Sequence, residues 1–191
     1  MAEVRQTAFG ALLETLPAEG HGIAVSERAG RGIATVMARA GQSAVIGPRL
    51  GFPVADRPGR FASADVALLG TGPGAWLMIS ETPAPGLAMT VADDLAGFAS
   101  VFDQSSGYAI LRLSGVGAGA LLQKGAFLDL HTDAFPPGSV AVTVIEHIGA
   151  ILWRPDENIF EIAVFRSFAS SFWHWLVTAA AASDLALHRA D

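Results

Sequence analysis

Cysteine is absent from the 191 residues, which excludes disulfides, thiol nucleophiles and thiolate metal sites. Lysine occurs once, as Lys124, beside eleven arginines, and no basic run exists. With a net charge of −6, phosphate-backbone binding has no footing and no nucleic-acid partner is expected. Charged residues make up only 16%, against a norm of about 25%. Long apolar runs are missing too: the late window LVTAAAA is far too short to span a bilayer. The opening MAEVRQTAFGALLETL has acidic residues early and no signal-like apolar core. A soluble, cytoplasmic protein with no membrane partner is expected.

What the chain has in quantity is apolar side chain, 51% of residues. A chain of this size buries a good core but cannot absorb all of that surface. An alanine-rich core or a surface covered by partners would account for it. Exposed apolar patches usually mark contacts, which favours partners.

Strands are predicted at 22–27 and 33–39, followed by a short helix over 42–50 that Pro48 disfavours near its end. A loop over 52–60 leads to strands at 66–69 and 76–79 and a helix over 87–99. The rhythm then repeats. A strand at 108–114 leads to a helix near 118–124, then strands at 140–146, 150–154 and 159–165. The last two are joined by the turn-forming run Pro155-Asp-Glu-Asn. Ser167 is placed to cap a final helix from Phe168 to about Ala182. The pattern predicts an α+β fold with antiparallel sheets, one compact domain over 1–191 built of two intimately joined halves, 1–100 and 101–191.

Motifs that could carry chemistry lose it in context. Gly115-Val-Gly117-Ala-Gly119-Ala120 fits G-x-G-x-x-A between a strand and a helix. The helix is short, however, and no acid ends a second strand about 20 residues on, where a ribose contact belongs. A glycine-rich lead-in to a packed helix is the better account. Gly70-Thr-Gly-Pro-Gly-Ala lies between two strands and reads as a hairpin turn. The five histidines share no metal-ligand spacing, and His147 follows Glu146 at an expected turn. Asp129-Leu-His131-Thr-Asp133 could bind a cation, but such clusters are usually turn chemistry. Ser105 and Ser106 beside Asp103 read as an Asx or serine turn, because no histidine base lies nearby. No catalytic, cofactor-binding or metal residue is therefore assigned to this chain.

Leu111, Leu113, Leu121, Leu122, Phe160, Ile162 and Val164 are expected in the core. On the final helix Phe168, Phe172, Trp175, Leu176 and Ala179 gather into one stripe that should pack on the sheet. Trp173 and Val177 fall outside that stripe. They are expected either to rest on a neighbouring loop or to face a partner subunit, since tryptophan anchors interfaces.

The run Asp103-Gln-Ser-Ser-Gly107, with Leu111-Arg-Leu-Ser-Gly115 and the helix bearing Leu121-Leu122, resembles the D-x-S-x-x-G…V-x-G-x-x-A segment of the glycine-cleavage T-protein superfamily. Residues 103–176 are similar, more specifically, to gamma subunits of heterotetrameric sarcosine oxidases. The matching pieces are Lys124-Gly125, Leu128-Asp-Leu-His131, Phe135-Pro-Pro-Gly138, Ile151-Leu-Trp-Arg-Pro-Asp156, Phe160-Glu161, and Arg166-Ser-Phe-Ala169 with Trp173 and Trp175-Leu176. Departures are Thr132 where proline is usual, Ser106 where histidine is expected, and Gly72-Pro-Gly-Ala-Trp-Leu77 without the two acids of the related tract. The resemblance implies a T-protein-like fold and a non-catalytic structural subunit with alpha, beta and delta partner subunits. It implies that FAD, FMN, NAD and tetrahydrofolate belong to the partners, with none on this chain. T-protein enzymes place an acid just after a strand-joining glycine. The corresponding His147-Ile-Gly149-Ala-Ile-Leu-Trp153 has no carboxylate to act as acid or base. A stand-alone folate-dependent enzyme of that class, or a small-ligand-binding module on the same fold, is the alternative.

Overall fold

The computed structural model describes residues 7–190. In chain order the elements are α1 (Gly10–Leu13), β1 (Ile23–Glu27), β2 (Arg31–Ala38), α2 (Ser43–Leu50), β3 (Arg60–Ala62), β4 (Val66–Gly72), β5 (Ala75–Pro83) and α3 (Leu87–Asp94). Then follow β6 (Ala99–Asp103), β7 (Tyr108–Ser114), α4 (Ala118–Leu122), β8 (Val140–Ile145), β9 (Ile148–Asp156), β10 (Ile159–Phe165), α5 (Ala169–Ala181) and β11 (Leu187–Arg189). This is the expected α+β composition. The helix expected to run to residue 99 stops at Asp94, and Gly97 in left-handed backbone (φ 83°) turns the chain into β6. Pro48 is tolerated inside α2, which ends at Gly51 in left-handed backbone.

The chain divides into two units. The first takes residues up to 29, 108–137 and from 142 onward. Its six-stranded sheet has the order β11-β1-β7-β10-β9-β8. Neighbours with a defined register are antiparallel, except β1 and β11, which run parallel. The division differs from the expected halves at 100/101, because β1 pairs with β7 (Val25 opposite Leu113, Glu27 opposite Leu111) and carries the first residues into this unit. All seven expected core residues are buried here, Leu111, Leu113, Leu121, Leu122 and Ile162 completely. Each is a large apolar side chain, and they share the core with Ile23, Val25, Trp153, Phe172 and Leu176.

The second unit, residues 30–107 with 138–141, holds an antiparallel sheet of order β3-β4-β5-β2-β6. Ala34, Val36, Leu68, Trp76 and Met78 from the strands pack with Ile46 of α2 and Val91 of α3. Trp76 satisfies its indole N–H by donating to the Ala55 carbonyl at 3.2 Å. The Gly70–Ala75 stretch is the β4–β5 hairpin, as expected. Gly74 has φ 65°, and its N–H donates to Asp56 Oδ1 at 2.6 Å.

The DQSSG run is likewise structural. Asp103 Oδ1 accepts the Ser105 N–H at 2.8 Å, closing an Asx turn. Ser105 Oγ accepts the Ile33 N–H at 3.0 Å. The Gln104 N–H donates to the Ile33 carbonyl at 2.8 Å. The turn therefore pins the end of β6 to β2 within its own sheet.

Candidate functional site

Among the described residues of the first unit, Arg154 and Glu161 are the buried ionisable side chains, and the polar partners of each are internal. Arg154 projects from β9. Its Nε donates to the Glu157 carbonyl at 3.0 Å, Nη1 to the Phe135 carbonyl at 2.8 Å, and Nη2 to Thr132 Oγ1 at 3.2 Å and to the Glu157 carbonyl. Its guanidinium lies over the Phe160 ring, 5.1 Å from the centroid. One side chain thus knits together three stretches that carry the family resemblance. Thr132 supplies one of its hydrogen-bond acceptors. Glu161, on β10, accepts from Arg112 Nε at 2.7 Å and lies 3.3 Å from Arg28 Nε. Charge buried this way is paired or solvated by backbone dipoles, and it holds strands rather than a reacting group.

The glycine run 115–119 also serves packing. Gly115 has φ 134°, and a Cβ there would stand 2.6 Å from the Gly22 carbonyl oxygen. A Cβ on Gly119 would stand 3.2 Å from the Phe160 ring, so glycine lets α4 settle onto β10. Asp129–Asp133 is turn chemistry. Asp129 Oδ1 accepts the His131 N–H at 2.8 Å, and His131 Nδ1 lies 3.5 Å from Asp133 Oδ2 in an exposed pair.

The helix α5 corrects two expectations. Its buried residues are Ala169, Phe172, Trp173, Leu176 and Ala180, so the core-facing stripe is rotated from the expected one. Phe168 is 47% exposed, and residues 166–168 form a 3-10 turn with no side-chain cap from Ser167 at the helix start. Trp173, expected outside the core, is only 6% exposed. The physical reason lies at the other end of the chain. Phe9 packs on Trp173 with ring centroids 6.4 Å apart. Glu27 holds that segment in place by accepting the N–H groups of Ala8 and Phe9, each at 2.9 Å. Val177 remains at the surface, 36% exposed.

The feature with the most functional character was not foreseen in the sequence. A groove of about 530 Å³ lies between the β8–β9 turn and α5, lined by Glu146, His147, Phe168, His174, Trp175 and Thr178 among others. Ser171, His174, Trp175 and Thr178 line it together, at the i, i+3, i+4, i+7 spacing of one helix face. Phe168 and Trp175, expected on the core-facing stripe, line this groove instead. Trp175 rests on Gly125, where a Cβ would meet its ring at 2.6 Å, so glycine at 125 makes room for the indole.

The model of the family described as "Sarcosine oxidase, gamma subunit family" matches residues 37–182. Sarcosine oxidase subunit gamma of an Arthrobacter species is 31% identical over 151 residues, 78% of this chain and 73% of that one. The same subunit of Corynebacterium sp. strain P-1 is 35% identical over 115 residues, 59% of this chain and 56% of that one. Among solved structures, heterotetrameric sarcosine oxidase from Corynebacterium sp. U-96 in complex with pyrrole 2-carboxylate has a chain that superposes with a TM-score of 0.85 at 24% identity, covering 96% of this chain and 98% of that chain. Aminomethyltransferase T of the glycine cleavage system from Bartonella henselae superposes with a TM-score of 0.70 at 11% identity, covering 97% of this chain and 60% of that chain. The two superpositions establish a T-protein-like fold, and the family match and the Arthrobacter relative establish that the chain belongs to the sarcosine oxidase gamma subunit family.

Proposed function

We propose that this chain is a non-catalytic structural subunit of a cytoplasmic, heterotetrameric sarcosine oxidase, held by alpha, beta and delta partner subunits. The assembly oxidatively demethylates sarcosine to glycine and passes the one-carbon unit to tetrahydrofolate or releases it as formaldehyde. FAD, FMN, NAD and tetrahydrofolate belong to the partners. The observation that carries this reading is membership of the gamma subunit family over residues 37–182.

The chemistry of the chain supports it. Where T-protein enzymes place their acid, this chain has Ala150, Ile151 and Leu152, all buried in β9. Apolar side chains inside a strand cannot exchange a proton, so the segment does not fit a folate-borne reaction. Arg154 and Glu161, the ionisable groups buried most deeply, already hold partners within the chain.

The test is purification through a tag on this chain after co-expression with the larger subunits. A stable complex with a flavin spectrum and sarcosine-dependent turnover is expected, while the chain alone carries no flavin and gives no saturable heat with tetrahydrofolate. A micromolar tetrahydrofolate site on the lone chain would overturn the reading in favour of a folate-dependent enzyme.

A further inference from the structure

The turn between β8 and β9 breaks a local rule. Glu146 (φ 44°) and His147 (φ 64°) both occupy left-handed backbone. A two-residue hairpin turn of this kind is filled at least cost by Asn-Gly, and a residue with a Cβ held there loses on the order of 1 kcal/mol. Departures of this sort concentrate at functional positions. Both residues line the groove beside α5, together with Phe168, His174 and Trp175. The Glu146 carboxylate makes no hydrogen bond or ion pair among the described residues; only its backbone N–H is engaged, with the Gly125 carbonyl at 3.1 Å.

An unpaired carboxylate in a groove lined by two aromatic side chains has the chemistry of a cation receptor. The carboxylate supplies charge-assisted hydrogen bonds and the rings supply cation–π attraction. Among the described residues neither lysine nor arginine lines the groove, and the chain's net charge is −6. The groove is open, with Glu146, His147, Phe168 and His174 all exposed. A free small molecule, which needs most of its surface covered, is poorly served by it. A side chain delivered by a larger surface is well served. Apolar residues stand beside the site: Phe127 and Val144 are exposed, and the Phe127 N–H donates to the Val144 carbonyl at 3.4 Å. Val177 follows His174 by one turn of α5, extending the apolar margin.

We infer that this groove receives an arginine side chain from a larger subunit of the assembly, its guanidinium paired with Glu146 and stacked against Trp175. Arginine is preferred over lysine because its planar guanidinium stacks on rings and forks to a carboxylate. The inference rests on the assembly reading above and assigns one contact within it.

The experiment compares wild type, Glu146→Gln, Glu146→Lys and the double variant Glu146→Asn/His147→Gly in tagged complexes co-expressed with the larger subunits. Glu146→Lys should weaken association by about 30-fold or more, with Glu146→Gln intermediate. The double variant should melt higher than wild type, because its turn is relaxed, yet associate more weakly. A photo-crosslinker at Ser171 should capture a segment of a larger subunit that contains arginine. Association of Glu146→Lys equal to wild type overturns the groove contact while leaving the assembly reading intact, and capture of a second copy of this chain overturns it as well. Failure of wild type to associate overturns the assembly reading and this contact together.

Discussion

Residues 30–107 build their five-stranded sheet from nearly consecutive chain, whereas the six-stranded sheet gathers β1, then β7 to β10, and finally β11 from the end of the chain. The two units also differ in what they bury. In the second unit, Ser80 is the buried polar side chain, with its Oγ accepting the Gly32 N–H at 2.8 Å. The first buries Arg154 and Glu161. Consecutive strands close short loops and can rely on apolar packing, because little chain entropy is lost in bringing them together. Segments brought from afar need contacts that accept one alignment only. A guanidinium with four directed bonds does this in a way that leucine cannot. Glu161 pairs with Arg28, just past β1 and 133 positions earlier in the chain (161 − 28), and Arg154 ties Thr132 and Phe135 to β9.

Removing the Arg154 guanidinium should weaken the first unit most. Arg154→Met keeps much of the volume but strands the Phe135 and Glu157 carbonyls. A loss of about 1–3 kcal/mol is expected for each, read as a lower denaturant midpoint with an unchanged slope. If stability were unchanged, buried charge would not be what holds the first unit together.

The first unit also depends on the Phe9 segment packed on α5. Trp173→Ala should destabilise by about 3–5 kcal/mol, as expected for a buried tryptophan. Glu27→Gln should reproduce a smaller part of the loss by loosening Phe9. Near-ultraviolet dichroism follows the order around the indole. A Trp173→Ala chain that melts like wild type would return Trp173 to the surface and to partner contact.

The sequence was legible where period and burial agree. β7, with its alternation, and β10, with its β-branched residues, have the expected bounds, and all seven residues expected in the core are buried. Three short strands escaped notice: β3, β6 and β11. Each has three to five residues, too few for a period to register. Gly97 was a usable signal, since a glycine past the last periodic residue stops a helix. The rotation of α5 was not legible at all. A helical wheel ranks faces by hydrophobicity, and it cannot know that Phe9 and Glu27 will cover Trp173. The groove was hidden for the same reason, because Trp175 and Phe168 look like core until the β8–β9 turn places Glu146 and His147 beside them.

The smallest effect concerns the second unit, where charge works at the surface. The Asp56 carboxyl is held below its ordinary range by the Gly74 N–H and then by the Ser43 hydroxyl. A carboxylate with a depressed folded-state pKa stabilises above its unfolded value of about 4, and that contribution fades as pH falls through the lower folded value. Asp56→Asn should therefore lower the melting temperature slightly at pH 7, and the gap from wild type should close as the solution is acidified below about 4. Asparagine can still accept the Gly74 N–H, so the difference reports charge rather than loss of the bond. High salt should narrow the gap, since the carboxylate is exposed to solvent. Arg154→Met, with its group buried, should keep its full penalty in the same salt. If both variants respond equally to salt, the contrast between a charge-stitched unit and a surface-charged one does not hold.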